Sequence, residues 1–156
     1  GLSYLVTEPS AKVTPTGKQL TIEKQLYVRK VDSNGKEGFA LATNVQKGDK
    51  LIVRYLLEAK QDLSLVTIQD PRPAAAEMGY DFEGFRLADR LWFDYSRRDN
   101  HDRLYIDYLP RGRHQIELEA VATQSGHFTY GPAQIQSYYA PEYAGNSSGG
   151  SLEVAR

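Results

Sequence analysis

In the nine residues HQIELEAVA at positions 114–122, apolar and polar side chains alternate from Gln115 to Ala120. The apolar residues fall on one side and the polar ones on the other: Ile116, Leu118, Ala120 and Ala122 against Gln115, Glu117 and Glu119. A period of two places successive side chains on opposite faces of a β-strand, whereas an amphipathic helix needs a period of 3.6. The segment is therefore predicted to be a strand with one face in a core and the other in solvent.

Segments of the same kind recur along most of the chain. They are rich in β-branched and aromatic residues and cover positions 19–31, 51–59, 63–70, 103–109, 127–130 and 133–139. In the fourth of them, Leu104, Ile106 and Tyr108 are expected to share one face. Turn residues separate the segments, such as the SNG at 33–35 that is typical of a hairpin. Short strands at this spacing predict an all-β fold, an antiparallel β-sandwich.

Residues 74–103 do not follow this pattern. They carry many charges and no strict period, so we expect a long, partly helical or irregular insertion here. The AAAEM at 74–78 is typical of a helical turn, and the RLWFDY at 90–95 of a strand at a sheet edge. Insertions of this length often carry function.

Composition limits the classes of function. The 156 residues are predicted to form a single domain over 1–156, with 40% hydrophobic and 25% charged residues, as in globular proteins. A net charge of −1 gives no electrostatic reason to expect nucleic acid or an anionic membrane as partner. The absence of cysteine excludes disulfides, thiolate zinc sites and a cysteine nucleophile within this chain.

The densest polar cluster is DYSRRDNHD at 94–102, with Asp94, Asp99, Asn100, His101 and Asp102. Such oxygen-rich loops hold calcium in some proteins, but the ligand spacing and central glycine of an EF-hand are missing. A solvated turn is the preferred interpretation. No nucleophile elbow is present, and the three histidines are far apart in sequence. We therefore predict no catalytic residue, no metal site and no cofactor.

Two stretches together resemble the bacterial α2-macroglobulins. The first, VQKGDKLIVRYLLEAKQDLSLVTIQDPRPAAAE at 45–77, contains a Gly-Asp turn and a proline-containing corner. That corner consists of Asp70, Arg72, Pro73, Ala74, Ala75 and Glu77. The second stretch, at 103–154, contains Leu109-Pro110, Pro132-Ala133 and a closing Tyr-x-Pro-Glu-Tyr-x-Gly at 139–145. The resemblance is weak before residue 45 and absent over 78–102.

The resemblance implies a macroglobulin/immunoglobulin-like sandwich, the tenth and last macroglobulin-like domain (MG10) of a much larger multidomain protein. Such parents resemble broad-range protease traps, which inhibit endopeptidases through a cleaved bait region and an exposed Cys–Gln thioester. The last domain is expected to be non-catalytic and to pack against the helical thioester domain, with aromatic side chains shielding the thioester from water. The parent is expected in the periplasm or cell envelope, as a secreted protein or a lipoprotein. Target proteases would be reached only through the whole parent.

Four tyrosines match the shielding positions: Tyr138 and Tyr139, with Tyr130 and Tyr143 as neighbours. If the strand at 133–139 continues through both adjacent tyrosines, they point to opposite faces. Tyr139 then shares a face with Ile135 and is predicted to lie in the core, which leaves Tyr138 for contact with a neighbour. Residues 145–150 are expected to be a flexible link to a last short strand, SLEV.

The alternative is a carbohydrate-binding or adhesin-type β-sandwich module of a cell-surface protein. That function needs coplanar exposed aromatic rings. Tyr80, Trp92, Phe93 and Tyr95 are the candidates for such a platform.

Overall fold

A computed structural model describes residues 18–71, 76–78, 84–88, 90–98 and 100–156. Within them the regular structure consists of fourteen strands and no helix. The strands are β1 Leu20–Val31, β2 Glu37–Leu41, β3 Val45–Gln46, β4 Lys50–Ala59, β5 Leu63–Pro71, β6 Ala76–Met78, β7 Gly84–Ala88, β8 Leu91–Arg97, β9 His101–Leu109, β10 Gly112–Ala122, β11 Gly126–Tyr130, β12 Gln134–Ser137, β13 Ala144–Asn146 and β14 Gly150–Ala155.

These strands form three sheets. A five-stranded sheet has the order β2-β1-β4-β10-β6, a six-stranded sheet the order β13-β12-β5-β9-β8-β7, and a small sheet the order β11-β14-β3. Described neighbours pair antiparallel, except β14 and β3, which pair parallel. The predicted antiparallel β-sandwich is confirmed.

The core lies between the five-stranded and six-stranded sheets, and the side chains at every second position of their strands fill it. On β10, Ile116, Leu118, Ala120 and Ala122 are buried, as predicted. On β1 the inward positions are the even-numbered ones, so Leu20, Ile22, Leu26 and Val28 join the same cluster as Ile68 and Leu104 of the facing sheet. Between Leu20 and Val28, the one inward position that carries a charge is Lys24.

The prediction for Tyr108 is wrong. Leu104 and Ile106 are fully buried, but Tyr108 is 53% exposed and Leu109 takes the inward place. The reason lies across the ladder, where Leu65 of β5 adopts a φ of +51°. The β5–β9 ladder pairs Ser64 with Tyr108 and Val66 with Ile106, but it has no pair at Leu65. The alternation of inward and outward side chains shifts by one residue at this point.

In the 74–103 segment the described residues are strand except at Arg90, Arg98 and Asn100. Ala76–Met78 is not a helical turn, because it forms β6 and pairs with the end of β10. The strand at Leu91–Arg97 is not at an edge: β8 lies between β7 and β9. Its Leu91, Phe93 and Tyr95 are buried while Trp92 points outward, a period of two that surrounding charges obscured in the sequence.

The C-terminal end also differs from expectation. Strand β12 ends at Ser137, before the adjacent tyrosines, and residues 138–139 form a bend. The first two residues of the expected flexible link, Gly145 and Asn146, belong to strand β13, which is paired antiparallel with β12. The SLEV segment lies within β14, as predicted.

Candidate functional site

The turn between β12 and β13, residues 138–143, is fastened by main-chain hydrogen bonds. The Ser137 N–H donates to the Tyr143 carbonyl at 3.0 Å, and the Tyr143 N–H donates to the Ala140 carbonyl at 2.8 Å. The Tyr138 N–H donates to the carbonyl of Leu65 on the neighbouring strand at 2.8 Å. The turn is thus closed on itself and tied to β5 by bonds that use no side-chain atom of Tyr138 or Tyr139.

Tyr138 and Tyr139, here called the tyrosine pair, project from this turn. Tyr138 is 66% exposed and Tyr139 is 71% exposed. Their rings meet edge to face, with centroids 5.3 Å apart and planes at 84°. The assignment of Tyr139 to the core is wrong, because the strand alternation that placed it there stops at Ser137. Two large rings held together in solvent form an apolar surface suited to contact.

Tyr108 adds a third exposed ring at this end of the six-stranded sheet. It lies opposite Ser64, next to the Leu65 that anchors the turn. Its hydroxyl is hydrogen-bonded to Asp62, which raises the pKa of Tyr108. The pKa of the Asp62 carboxyl is lowered, first by the N–H donated from Arg111 and then by the Tyr108 bond. Tyr108 is therefore held in place, although exposed.

The other two predicted tyrosines have structural surroundings. Tyr143 is partly buried against the core and closes the turn through its main chain. Tyr130 is also partly buried, and the Lys24 ammonium lies 4.3 Å from its ring centroid. Burial, and secondly the charge of Asp70, raise the pKa of Tyr130. Of the four tyrosines, the structure brings Tyr138 and Tyr139 together on the surface and places Tyr130 and Tyr143 against the core.

A buried ion pair lies inside the sandwich. Lys24 Nζ is 2.7 Å from Asp70 Oδ1, with 2% of each side chain exposed. The hydroxyl of Tyr55 donates to the other Asp70 oxygen. Burial, followed by the charges of Asp70 and Asp102, raises the pKa of Tyr55 well above its usual value. Sequence reasoning missed this pair; its one signal was a lysine at an inward position of β1.

A second buried carboxylate lies next to the first. Asp102 is paired directly with Asp70 across the β5–β9 ladder, is 2% exposed, and accepts a 2.9 Å hydrogen bond from the Tyr95 hydroxyl. The interpretation of 94–102 as a solvated turn is therefore wrong for Asp102. Asp99 lies outside the described residues. Among those described, no group of three or more His, Asp or Glu side chains is placed to hold a metal.

The aromatic platform of the alternative function is not assembled. Phe93 and Tyr95 are 1% exposed, Trp92 alone of the described candidates faces solvent, and Tyr80 lies outside the described residues. Positions 72–75 of the proline-containing corner are likewise outside them. The described residues contain no helix with the length and apolarity that a membrane crossing requires. Fold and surface together define a β-sandwich domain with an exposed aromatic corner.

Comparison with known families identifies that domain. The family model described as the bacterial alpha-2-macroglobulin MG10 domain matches residues 20–142, well over half of the chain. The chain therefore belongs to the bacterial alpha-2-macroglobulin MG10 domain family. No curated protein matches it.

Solved structures agree in fold. The Salmonella alpha-2-macroglobulin reacted with methylamine matches with a TM-score of 0.68 and 17% identity, over 95% of this chain and 10% of that one. The trypsin-activated Escherichia coli protein matches with a TM-score of 0.67 and 15% identity, over 94% of this chain and 11% of that one. A native E. coli structure that spans domain MG7 to the C-terminus matches with a TM-score of 0.66 and 14% identity, over 95% of this chain and 25% of that one. The chain thus spans a quarter or less of each of these structures.

Proposed function

We propose that this chain is the non-catalytic C-terminal domain of a bacterial protease trap, and that the tyrosine pair packs against the thioester-bearing domain of the parent. The observation that carries the proposal is the exposure of both rings, 66% and 71%, on a turn whose backbone is fixed. Family membership supplies the parent class.

The physical role of the pair is to exclude water. A thioester is a reactive acyl group, and a site closed to water is protected from hydrolysis. Tyrosine rings are enriched in protein contacts because they bury a large apolar area and keep a polar tip. Tyr138 and Tyr139 offer that area on a backbone that needs no rearrangement, so contact costs little ordering entropy.

The rest of the domain acts as a rigid carrier for this corner. The matched parts of the native and the trypsin-activated E. coli proteins fit this chain with nearly equal TM-scores, 0.66 and 0.67. Both states of the E. coli protein thus contain this sandwich fold. The neighbouring domains of the parent are its direct partners, and proteases are met by the parent as a whole. The parent resides in the periplasm or cell envelope.

The test is made in a full-length parent whose thioester incorporates methylamine. We expect Tyr138→Ala/Tyr139→Ala to speed the loss of methylamine incorporation on storage, because water then reaches the acyl group. Trp92→Ala, which removes an exposed ring from another strand of the same sheet, is the matched control and should leave the decay rate unchanged. An unchanged rate in the double tyrosine variant would remove the pair from the shield.

A further inference from the structure

Leu65 has a backbone conformation that leucine rarely adopts inside a strand. Of the described residues other than glycine, two have a positive φ, Leu65 at +51° and Arg90 at +61°. Arg90 lies in the turn before β8, where such torsions are common. Leu65 lies within β5, and there its Cβ is crowded by the backbone. Torsions of this kind persist only where the surrounding structure holds them, and they cluster at functional sites.

The burial of neighbouring side chains holds this torsion. Leu63 and Val66 are 6% and 0% exposed, although they are three positions apart. In a strand of period two, residues three apart point to opposite faces. Their partners on β9, Leu109 and Ile106, have the same spacing and are both fully buried. A left-handed residue between Leu63 and Val66 lets both pairs enter the core, so their apolar burial offsets the unfavourable torsion.

On one side of β5, the torsion coincides with the end of the β12 ladder. The Tyr138 N–H donates to the Leu65 carbonyl at 2.8 Å. A regular antiparallel pair of this type exchanges two hydrogen bonds. Between these two described residues the return bond, from the Leu65 N–H to the Tyr138 carbonyl, is not formed. The chain bends at 138–139 instead of extending the strand, so Tyr139 does not take the inward place that would follow Ser137.

On the other side of β5, the torsion coincides with the exposure of Tyr108. This residue lies opposite Ser64, one position before Leu65. Regular alternation from Ile106 would turn the Tyr108 ring inward, yet the ring is 53% exposed and its hydroxyl is bonded to Asp62. Two strands that flank β5 therefore each release a tyrosine from the core at the same level of the sheet.

We propose that the left-handed torsion of Leu65 positions the three exposed tyrosines at this end of the six-stranded sheet, Tyr108, Tyr138 and Tyr139. Leu65 is a positioning residue, because it acts through the backbone of β5 and not through its side chain. One torsion both stops the β12 ladder and turns the Tyr108 ring outward. The value of this arrangement for shielding a thioester rests on the function proposed above.

Two substitutions separate the torsion from the leucine side chain. Leu65→Gly removes the side chain and permits a positive φ, whereas Leu65→Pro removes it and fixes φ at about −65°. Nitration of the 156-residue chain with tetranitromethane, mapped by mass spectrometry, reports the exposure of each tyrosine. Leu65→Gly should keep the wild-type nitration pattern.

Leu65→Pro should slow nitration of Tyr108 and Tyr139 by about tenfold or more, because both rings then turn inward and react only through local opening. Tyr138 is outward with either torsion and serves as the internal reference. Unchanged nitration of Tyr108 and Tyr139 in a folded Leu65→Pro chain overturns the proposal. Nitration of the buried Tyr55 and Tyr95 shows whether that variant is folded.

A second measurement covers the case in which Leu65→Pro does not fold. In nuclear magnetic resonance spectra of the wild type and of Leu65→Gly, residue 65 should show the strong contact between its own amide and Hα protons that a positive φ produces. Both proteins should also show contacts between the Tyr138 and Tyr139 rings, whose centroids are 5.3 Å apart. A negative φ in the wild type, or loss of the ring contacts in Leu65→Gly, overturns the proposal.

The same two substitutions in the full-length parent connect the torsion to shielding. Leu65→Pro should speed the loss of methylamine incorporation as Tyr138→Ala/Tyr139→Ala does, and Leu65→Gly, which conserves the torsion, should restore the slow decay. If the nitration pattern shifts but neither Leu65→Pro nor the double tyrosine variant changes the decay, the shielding function fails and the positioning role stands. If only the double tyrosine variant speeds the decay and nitration is unchanged, the positioning role is overturned.

Discussion

Lys24 and Asp70 meet in the interior of the sandwich, with Nζ and Oδ1 2.7 Å apart and 2% of each side chain exposed. Lys24 belongs to β1 of the five-stranded sheet and Asp70 to β5 of the six-stranded sheet, so the contact joins the two layers. Tyr55, from β4 of the first sheet, donates to the same carboxylate. A buried charge without its partner is costly, whereas the complete pair is close to neutral in free energy.

Replacing Lys24 with Met should therefore lower the free energy of unfolding by about 3–5 kcal/mol, because Asp70 is then left in the core without its cation. Urea denaturation followed by circular dichroism measures this value. The double variant Lys24→Met/Asp70→Asn serves as control and should recover part of the loss, since both charges are then gone. A single variant within about 1 kcal/mol of wild type would contradict the pairing.

Tyr55→Phe should destabilise the domain by about 1–3 kcal/mol at neutral pH, because it removes the hydroxyl that donates to buried Asp70. The difference from wild type should shrink above pH 10. The folded pKa of Tyr55 lies well above the value of 10.0 for a free tyrosine, so only the unfolded chain loses this proton as pH first rises past 10. A group whose pKa is raised by folding contributes its full stabilisation at a pH below its pKa in the unfolded chain. That stabilisation is lost as the pH rises toward the pKa in the folded protein.

Unfolding curves recorded between pH 7 and 11 for wild type and Tyr55→Phe check this dependence. Tyr108→Phe is the control, since Tyr108 is exposed and its hydroxyl bond lies at the surface. Its difference from wild type should be small throughout. If the difference in unfolding free energy between Tyr55→Phe and wild type stays constant or widens with pH, ionisation of Tyr55 in the unfolded chain is not what lowers the stability above pH 10.

The four tyrosines should separate into two groups in the isolated domain. Tyr138→Ala and Tyr139→Ala should each change the free energy of unfolding by less than about 0.5 kcal/mol, because both rings are exposed. Tyr143→Ala and Tyr130→Ala should each cost about 2–3 kcal/mol, because these rings pack against the core. Thermal and urea unfolding of the four variants measure the split. Similar losses at all four positions would mean that the tyrosine pair is part of the core.

The fold was accessible from the sequence because β4 and β10 alternate cleanly and turn residues separate the strands. Local pattern failed where a strand ends or shifts. No residue type in 133–139 indicates that the strand ends at Ser137. The ladder nevertheless stops there, so Tyr139 does not point into the core. The left-handed φ of Leu65 changes which residues of β9 face inward, so Tyr108 is exposed. A leucine in the sequence does not predict a left-handed φ. The ion pair joins residues 46 positions apart, so only the packing of the two sheets reveals it.

The 138–143 turn has one more consequence, for how such a domain changes over generations. Main-chain hydrogen bonds and one bond from the Gln136 side chain to the Pro141 carbonyl hold the turn, and none uses a side chain of residues 138 or 139. Selection, or an engineer, can therefore exchange the two exposed side chains and leave the folding of the sandwich untouched. Substitution is thus tolerated at two adjacent positions, so the contact proposed for this corner can change while the scaffold that presents it stays the same.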